Sequence, residues 1–356
     1  MYASSIFDPA HLMSKSAVWA QFARPLVRDL AFALSPQVPI QKLPDTQDTL
    51  KASPIELAGD DFWQEQLTRY LPRLQQLDLD PKQLNRHIAR VTKSPRLGYR
   101  FEALIGFWLA DTDYHDFRLI HQNLIIKAQE TTETHQKNQT LGELDFVVKN
   151  VATDQVEHWE LSVKFYLAVL DTEASLEQNR LAAANPSNWV GLNRNDTLQK
   201  KLDHLALRQF RYQQARGLAI DKNRLFLKGR FFWPEHASDQ TDALAPDWLN
   251  PAAMLGVWRF MSESDQADIL QGSLIRTERL EWFTPRLFWH EFTHRRGLAA
   301  PSLPHQVDGT PRSGLYWDTP AIDSKFAQTG FNPNWLILKS DKSAHQSPSS
   351  YTLLHG

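Results

Sequence analysis

The sequence predicts an α/β fold. Apolar residues recur at helical spacing through much of the first 110 positions. The spacing then changes to every second residue between about 124 and 167, which is typical of strands. Helical and strand-like segments follow one another after that point. With 356 residues and 42% hydrophobic content, the chain is long enough to bury a full core in one large domain or two.

The helical segments come first. Residues 16–34 have helical spacing and stop before Pro36. Residues 60–92 predict two helices separated near Asp80 and Pro81. The stretch "LGYRFEALIGFWLAD" (97–111) predicts a helix whose buried face holds Phe101, Leu104, Ile105, Trp108 and Leu109.

The strand segments follow. "LIIKAQ", "LDFVVKN" and "HWELSVKFYL" alternate with a period of two, and residues 223–234 predict a further strand that ends at Pro234. Residues 196–215 and 251–270 are expected to be helical. Beyond about residue 300 the pattern is loop-like, and we expect a disordered tail over 341–356.

Composition excludes several classes of protein. The chain has no cysteine, so disulfides, thiolate zinc sites and cysteine nucleophiles are excluded. The N-terminus lacks a basic region followed by an apolar run, so we expect no signal peptide. The longest apolar run, Phe165 to Leu170, is too short to span a bilayer. We therefore expect a soluble cytoplasmic protein with no membrane partner.

Charge is distributed unevenly. The net charge is only −2, so the whole chain does not have the composition of a basic nucleic-acid binder. The segment from Arg194 to Arg230, however, holds ten Lys or Arg residues against three Asp, a net charge of +7. It is consistent with a solvated helix face or with a surface that contacts phosphates.

Two adjacent strands bring carboxylates to one face. A short polar connection joins "GELDFVVKN" and "HWELSVKFY", so an antiparallel pair is the simplest arrangement. One face of that pair is expected to be apolar and to hold Leu144, Phe146, Val148, Trp159, Leu161, Val163 and Phe165. The opposite face gathers Asp145, Glu160 and Lys164. Glu102 lies in a very apolar helix, where a lone charge needs a partner.

Three carboxylates and a lysine on adjacent elements suit one kind of chemistry. Hard oxygen ligands bind Mg²⁺ or Mn²⁺. Such a metal polarises a phosphoryl oxygen and activates a water molecule, and a nearby lysine offsets the developing negative charge. No organic cofactor is expected. The alternative is that Asp145, Glu160 and Lys164 form structural ion pairs and nothing more.

The order of these residues resembles a known superfamily. An acid on a helix, Asp on a strand, and an acid with Lys on the next strand resemble the PD-(D/E)XK nuclease superfamily. The blocks "LGYRFEALIGFWL", "TLGELDFVV", "HWELSVKFYL", "GLNRNDTLQKKL" and "LKGRFFWP" more closely resemble a bacterial family of unknown function, DUF1853, which is similar to that superfamily. The likeness extends from "FARPLVRDLAF" to about residue 285.

The resemblance implies a restriction-endonuclease-like core with a central mixed sheet flanked by helices. This core is expected over 95–235, between an N-terminal helical region (1–94) and a C-terminal extension (236–340). By resemblance, Asp145 and Glu160 would bind Mg²⁺ or Mn²⁺, Lys164 would position the attacking water, and Glu102 would be a supporting acid. Candidates for binding DNA or RNA follow on the next helix: Gln199, Lys200, Lys201 and Arg208.

One position departs from the superfamily pattern. The usual acid-x-Lys spacing is two residues, or about 6.6 Å along a strand, but Ser162 occupies the acid position here. Glu160 lies two residues earlier, about 13 Å from Lys164 along the strand. A catalytically inactive protein that keeps the fold and binds nucleic acid or acts as a scaffold is therefore the alternative to a nuclease.

A separate motif raises a third hypothesis. "HEFTH" places His290 and His294 on one face of a helix with Glu291 as a base, the arrangement of zinc peptidases. A catalytic zinc needs a third protein ligand. No Glu follows Glu291, and His305 and Asp308 are weak candidates. A zinc peptidase is therefore the more distant alternative.

Overall fold

The computed structural model describes residues 18–44, 55–92, 94, 96–127, 140–193, 195–253, 255–271, 274–276, 282–283, 314–318 and 335–338. Their helices are α1 (Pro25–Ala33), α2 (Asp60–Leu79), α3 (Lys82–Val91), α4 (Leu97–Ala110), α5 (Leu176–Ala184), α6 (Leu198–His204), α7 (Thr241–Leu244) and α8 (Glu263–Gln271). Their strands are β1 (Ile55–Leu57), β2 (Phe117–Lys127), β3 (Thr140–Asn150), β4 (Gln155–Ala168), β5 (Trp189–Gly191), β6 (Gln214–Ala215), β7 (Leu218–Ala219), β8 (Lys222–Pro234), β9 (Leu255–Phe260), β10 (Leu274–Arg276), β11 (Gly314–Asp318) and β12 (Trp335–Leu338).

One large mixed sheet organises the described chain. Its strand order is β10-β11-β12-β9-β8-β4-β3-β2, with β1 beside β8 and β5 beside β4. Strands β2, β3 and β4 form an antiparallel meander. Strands β4, β8, β9 and β12 run parallel to one another. The predicted α/β class, with a central mixed sheet flanked by helices, is therefore confirmed.

Helices cover both faces of this sheet. On one face, buried residues of α1, α2, α3 and α4 pack with Phe146, Trp159 and Phe226 of the central strands. On the other face, buried residues of α5, α6 and α7 pack with Tyr166 and Phe231. A smaller cluster lies where β2 and β3 meet the β6–β7 hairpin. The centre of the sheet is therefore covered by one layer of helices on each face, and each side chain there points toward one of the two layers.

The helices expected over 60–92 and 97–111 are confirmed, whereas the segment expected over 16–34 contains a 3₁₀ turn, Val18–Gln21, and then α1 after a break. The break near Asp80 and Pro81 separates α2 from α3. Helix α4 spans Leu97–Ala110, and the five residues predicted for its buried face are all buried. Their apolar stripe faces the sheet, which is the reason that periodicity alone could identify them.

The strands of the central region are also confirmed, with one local difference. All of the residues expected on the apolar face of β3 and β4 pack in the α1–α4 core except Leu144. Leu144 packs instead with Leu124, Val147 and Ala215. It lies beyond the last paired residue of the β3–β4 ladder, Phe146, where β3 is free to turn away from β4.

Three later expectations were wrong in part. Residues 251–270 are not one helix, because Leu255–Phe260 forms β9 beside β8 before α8 begins. The helix expected over 196–215 ends at Gln209, after which the β6–β7 hairpin begins. Beyond residue 300, β11 and β12 extend the sheet. Each difference reflects strand pairing between distant segments, which overrides local pattern.

Two further expectations concern membrane-spanning helices and the C-terminal tail. None of their helices is both long and apolar enough to cross a bilayer. The tail expected over 341–356 lies outside the described residues.

Candidate functional site

The site lies at a fork in the sheet along one edge of β4. Strand β3 pairs with β4 only as far as Phe146 and Trp159. Strand β5 pairs with the same edge of β4 from Tyr166 onward. The residues between them, Glu160–Phe165, pair with neither strand on that edge. We call this gap the β4 notch.

The other edge of β4 has no such gap, because it is covered by β8. It pairs with β8 without interruption from Glu157 to Leu167. Opposite Lys164, Gly229 of β8 adopts a left-handed φ of 127°, and a Cβ there would lie 1.8 Å from the Lys164 carbonyl oxygen. Glycine is therefore required at this point for the two central strands to approach each other. Access to the notch is left to the side of β3 and β5.

Asp145 closes the β3 end of the notch. It is the first residue of β3 beyond the ladder with β4, and its Oδ2 accepts a hydrogen bond of 2.8 Å from the backbone N–H of Leu161. The carboxylate thus replaces the missing strand partner of that N–H. This hydrogen bond holds Asp145 at the fork.

Glu160 lies beside it and is only 3% exposed. Its Oε1 accepts hydrogen bonds from the Lys201 ammonium at 3.3 Å and from the Gln209 side-chain amide. Its Oε2 is buried and has no hydrogen-bond partner among the described residues. A buried carboxylate oxygen left in this state costs free energy, because it has lost its water.

A distortion of the helix after β5 brings Lys201 and Gln209 together. Thr197 caps α6 by accepting from the Lys200 N–H. A π-helical turn, Leu205–Gln209, follows directly. The side-chain carbonyl oxygen of Gln209 then accepts from Lys201 at 3.3 Å, while its amide donates to Glu160. Single π turns are common at functional sites because they redirect side chains in this way.

Glu102 approaches from the other helical layer. It lies on α4, is half-buried, and accepts a hydrogen bond of 3.4 Å from the Asn123 side chain. Asn123 has a left-handed φ of 52°, which asparagine tolerates better than most residues. Burial, together with the negative charge of Asp145, raises the pKa of Glu102 to about 7.

The three carboxylates repel one another. Burial is the largest cause of the raised pKa of Asp145, and the charge of Glu160 raises it further. Burial also raises the pKa of Glu160, against the opposing effect of Lys201, and the charge of Glu102 adds to the rise. The group therefore has a net affinity for a proton or a cation.

Lys164 lies at the opposite end of the notch. Its ammonium is 2.5 Å from Oδ2 of Asp196 and 6.0 Å from the centre of the Tyr166 ring. Asp196 is held against β5, since its carbonyl oxygen accepts from the Gly191 N–H at 2.8 Å. Ser162 is buried between the two ends. The structure thus brings Lys201, and not Lys164, into contact with Glu160.

The remaining predicted residues lie on the outer side of α6. The Gln199 side chain donates to Asp203 at 2.8 Å. Lys200 is exposed and donates to the Asn195 carbonyl at 2.9 Å. Arg208 is exposed on the π-helical turn. Lys201 differs from these three, because it faces into the protein.

Sequence reasoning missed four contributors: the role of Lys201 beside Glu160, and Gln209, Asn123 and Asp196. One signal could have identified Lys201. The buried face of α6 is formed by Leu198 and Leu202 and continues to Leu205, and position 201 lies on that face at helical spacing. A lysine on an apolar face is a candidate for a buried ion pair.

The structure also divides the basic segment into two groups. Lys222 and Arg224 form ion pairs with Glu56, and Arg224 also pairs with Glu157. Lys228 and Arg230 are buried. The exposed cations of the described part of the segment are Lys200, Arg208, Arg211 and Arg216. We call these four residues the α6 basic surface.

Among the residues that the structure describes, no cluster of three or more His, Asp or Glu side chains is arranged to hold a metal ion. His290, Glu291 and His294, with His305 and Asp308, lie outside the described residues.

The fold and the site define a mixed α/β protein with a carboxylate–lysine cluster at a fork in its central sheet. Residues 28–308 match the family described as "Domain of unknown function (DUF1853)", and the chain belongs to this family. A comparison with curated proteins and a comparison with solved structures each find no significant match.

Proposed function

We propose that this protein is a metal-dependent nuclease that hydrolyses phosphodiester bonds of DNA or RNA at the fork between β3 and β4. The observation that carries the proposal is the convergence of Asp145 and Glu160. Both are held close to one lysine, and their mutual repulsion contributes to raising the pKa of Asp145. Carboxylates whose pKa values are raised by burial and by a neighbouring charge are candidates for functional groups.

The order of the elements supports a restriction-endonuclease-like core around this site. A helix carrying Glu102 precedes an antiparallel pair carrying Asp145 and Glu160. A helix carrying Lys201 follows, and β8 then returns parallel to β4. As far as β4 and the helix after it, this is the order of elements that the resemblance to the nuclease superfamily implies, although the resemblance puts the site lysine on β4, as Lys164, and not on that helix.

The residues present fit a divalent cation. Oε2 of Glu160 is buried without a hydrogen-bond partner from the described chain, and a cation would satisfy it. Mg²⁺ is commonly held by one or two carboxylates, with water and substrate phosphate completing its shell. Asp145 and Glu160 would hold it, and the absence of a third ligand from the described residues does not conflict with that number. Bound there, Mg²⁺ or Mn²⁺ would polarise the phosphoryl group and lower the pKa of a water molecule.

The side chains of the chain itself would have the following roles. Lys201, which is held by Gln209, would orient the attacking water and offset charge that develops on the phosphate. Glu102, whose pKa is raised to about 7, would accept or return a proton near neutral pH. The α6 basic surface would contact the sugar–phosphate backbone, because it belongs to the same segment as Lys201.

The decisive experiment compares Asp145→Asn with Glu143→Gln. Both remove one negative charge from β3, but Glu143 is exposed and precedes the fork. We expect Asp145→Asn to reduce Mg²⁺- or Mn²⁺-dependent cleavage of duplex, single-stranded or branched substrates by about 100-fold or more. Its nucleic-acid affinity should be unchanged or higher, because a charge that repels phosphate is lost. Equal cleavage by Asp145→Asn and the wild type would refute the proposal.

A second candidate function is a nucleic-acid-binding protein that keeps the fold without catalysis. Two observations favour it: Ser162 occupies the usual acid position, and Lys164 is paired with Asp196. A wild type that binds nucleic acid but cleaves no substrate with either metal would support this alternative. Metal binding gained by Ser162→Glu, measured by calorimetry, would then identify a site that has lost its function.

A further inference from the structure

A second concentration of positive charge lies on the side of the site away from α6. From Pro81 to Phe101 the sequence contains six Lys or Arg residues and no Asp or Glu. Of those that the structure describes, four are exposed, on α3 and at the start of α4. We call Lys82, Arg86, Arg90 and Arg96 the α3 basic face.

The spacing on α3 forms a stripe. Lys82, Arg86 and Arg90 are four residues apart, so they lie on one side of the helix at steps of about 6 Å. Leu84 and Ile88 on the opposite side are buried in the core. The orientation of the helix is therefore fixed by packing, and the stripe is directed toward solvent.

Within the described part of the chain, these cations are weakly paired with carboxylates or not paired at all. Lys82 lies 3.6 Å from Asp80, but both side chains are largely exposed, so the pair is weak. Among the described residues, no carboxylate pairs with Arg86, Arg90 or Arg96. By contrast, Arg100 of the same stretch is matched by the buried Asp29 at 2.5 Å. The largely buried cation of this stretch is thus paired with a carboxylate, whereas the exposed cations leave a net positive charge on the surface.

The stripe leads to the carboxylate site. Arg96 precedes Glu102 by six residues, a distance of about 9 Å along α4. Exposed Tyr99 lies between them, three residues before Glu102 and therefore on the same side of the helix. Since α4 packs on one face of the sheet and α6 on the other, the α3 basic face and the α6 basic surface flank the fork from its two helical layers.

We propose that the α3 basic face is a phosphate-binding surface, and that a nucleic-acid strand spans it and the α6 basic surface across the fork. The proposal deepens the proposed function, on which it rests, by naming where the substrate backbone lies. We favour nucleic acid over an anionic membrane as the partner, because Leu84 and Ile88, which form the apolar side of α3, are packed in the core and cannot enter lipid; of the large apolar residues of α3, only Val91, at its last position, is exposed.

Binding without cleavage tests this surface. Lys82→Gln, Arg86→Gln and Arg90→Gln are combined in one triple variant, and Lys42→Gln, Arg118→Gln and Arg180→Gln are combined as a control. Lys42, Arg118 and Arg180 are exposed cations on other elements, so both variants change the net charge equally. Affinity for 30-nucleotide single strands and 30-base-pair duplexes is measured without divalent cation, over a range of salt concentrations. Circular dichroism and thermal melting verify that both variants fold.

We expect the triple variant to bind duplex at least about tenfold more weakly than the control. Its slope of log K against log salt should be less steep by about 0.9 for each phosphate that it no longer neutralises, or about 0.7 for a single strand. Equal affinity and slope in the two variants would overturn the inference, and so would a wild type that binds neither nucleic acid. Selective loss of binding to vesicles of anionic lipid, with nucleic-acid binding unchanged, would assign the surface to a membrane and overturn it as well.

The outcome can be separated from that of the proposed function. If the triple variant loses affinity while the wild type cleaves nothing with Mg²⁺ or Mn²⁺, the binding surface stands and the proposed hydrolysis fails. If the wild type cleaves and the triple variant binds and cleaves as the control does, the nuclease proposal stands and the α3 basic face is not part of its substrate path.

Discussion

Two lysine–carboxylate pairs occupy the two ends of the β4 notch, and they differ in how their charges are matched. At the β3 end, Lys201 is close to Glu160, while Asp145 and Glu102 add two further carboxyl groups whose pKa values are raised. At the β5 end, Lys164 and Asp196 form a pair of one cation and one anion at 2.5 Å.

The two ends of the notch differ as a structural ion pair differs from a cation-binding site. A one-to-one pair that is roughly a quarter exposed satisfies both groups and joins β4 to the loop before α6. A buried group with more carboxylates than cations is unstable without another positive charge. Sites that bind metal cations contain such an excess of carboxylates. We therefore assign metal binding and hydrolysis to the β3 end of the notch.

The largest expected effect is on the β3 end. Lys201→Met removes a cation from a pair in which the side chains are only 14% and 4% exposed. We expect a loss of about 2–4 kcal/mol in the free energy of unfolding, because Glu160 is left buried beside Asp145 without a counter-charge. Urea denaturation at pH 7.5 without divalent cation measures it.

A double-mutant cycle isolates the interaction from other effects of the substitution. In a Glu160→Gln background, Lys201→Met should cost at least about 1.5 kcal/mol less than in the wild type. A coupling free energy near zero would mean that Lys201 does not stabilise Glu160. The contrast between the two ends of the notch would then be lost.

A third lysine extends the comparison to a cation without a carboxylate bonded to it. Lys228 of β8 is buried, donates a hydrogen bond to the Ser35 carbonyl oxygen, and lies 4.4 Å from the centre of the Trp63 ring. Burial lowers its pKa from 10.5 to about 7. Between these two values the unfolded chain binds more protons than the folded chain, so raising the pH stabilises the fold.

We therefore expect a pH-dependent difference between the wild type and Lys228→Met. From pH 7 to pH 9 the wild type should gain about 2 kcal/mol in the free energy of unfolding relative to the variant. The difference between the two proteins is the relevant quantity, because other groups titrate equally in both. Parallel profiles over this range would show that Lys228 has an ordinary pKa in the folded state.

Much of the fold could be predicted from local pattern. Helix α4 and strands β3, β4 and β8 were identified because their apolar residues repeat at one period over many positions. Strand β9 could not be, since its conformation depends on pairing with β8, which local sequence does not encode.

The candidate site was predictable to a similar extent. Strand alternation predicted Asp145 and Glu160 on one face. Glu160 meets Lys201 of α6, opposite the α1–α4 core, and Asp145 bonds the Leu161 N–H at the edge of β4. Alternation also put Lys164 on that face, but it could not show that Asp196, from a loop thirty-two residues later, would pair with it. The approach of Lys201 depends on the packing of α6 and on a π-helical turn, and neither follows from the charge pattern of the segment.

The smallest expected effect is at the β5 end of the notch. Lys164→Met removes the partner of Asp196, but both side chains are between a quarter and a third exposed, at 28% and 29%. Water screens the pair and solvates the remaining carboxylate, so we expect a loss of no more than about 1 kcal/mol in the free energy of unfolding. The same urea denaturation measures it beside Lys201→Met. A loss as large as that of Lys201→Met would show that the two pairs contribute equally to the free energy of unfolding. If Lys164→Met also abolished Mg²⁺-dependent cleavage while Lys201→Met did not, the water-positioning role would belong to Lys164, and Asp196 would then be the group that holds that lysine in place.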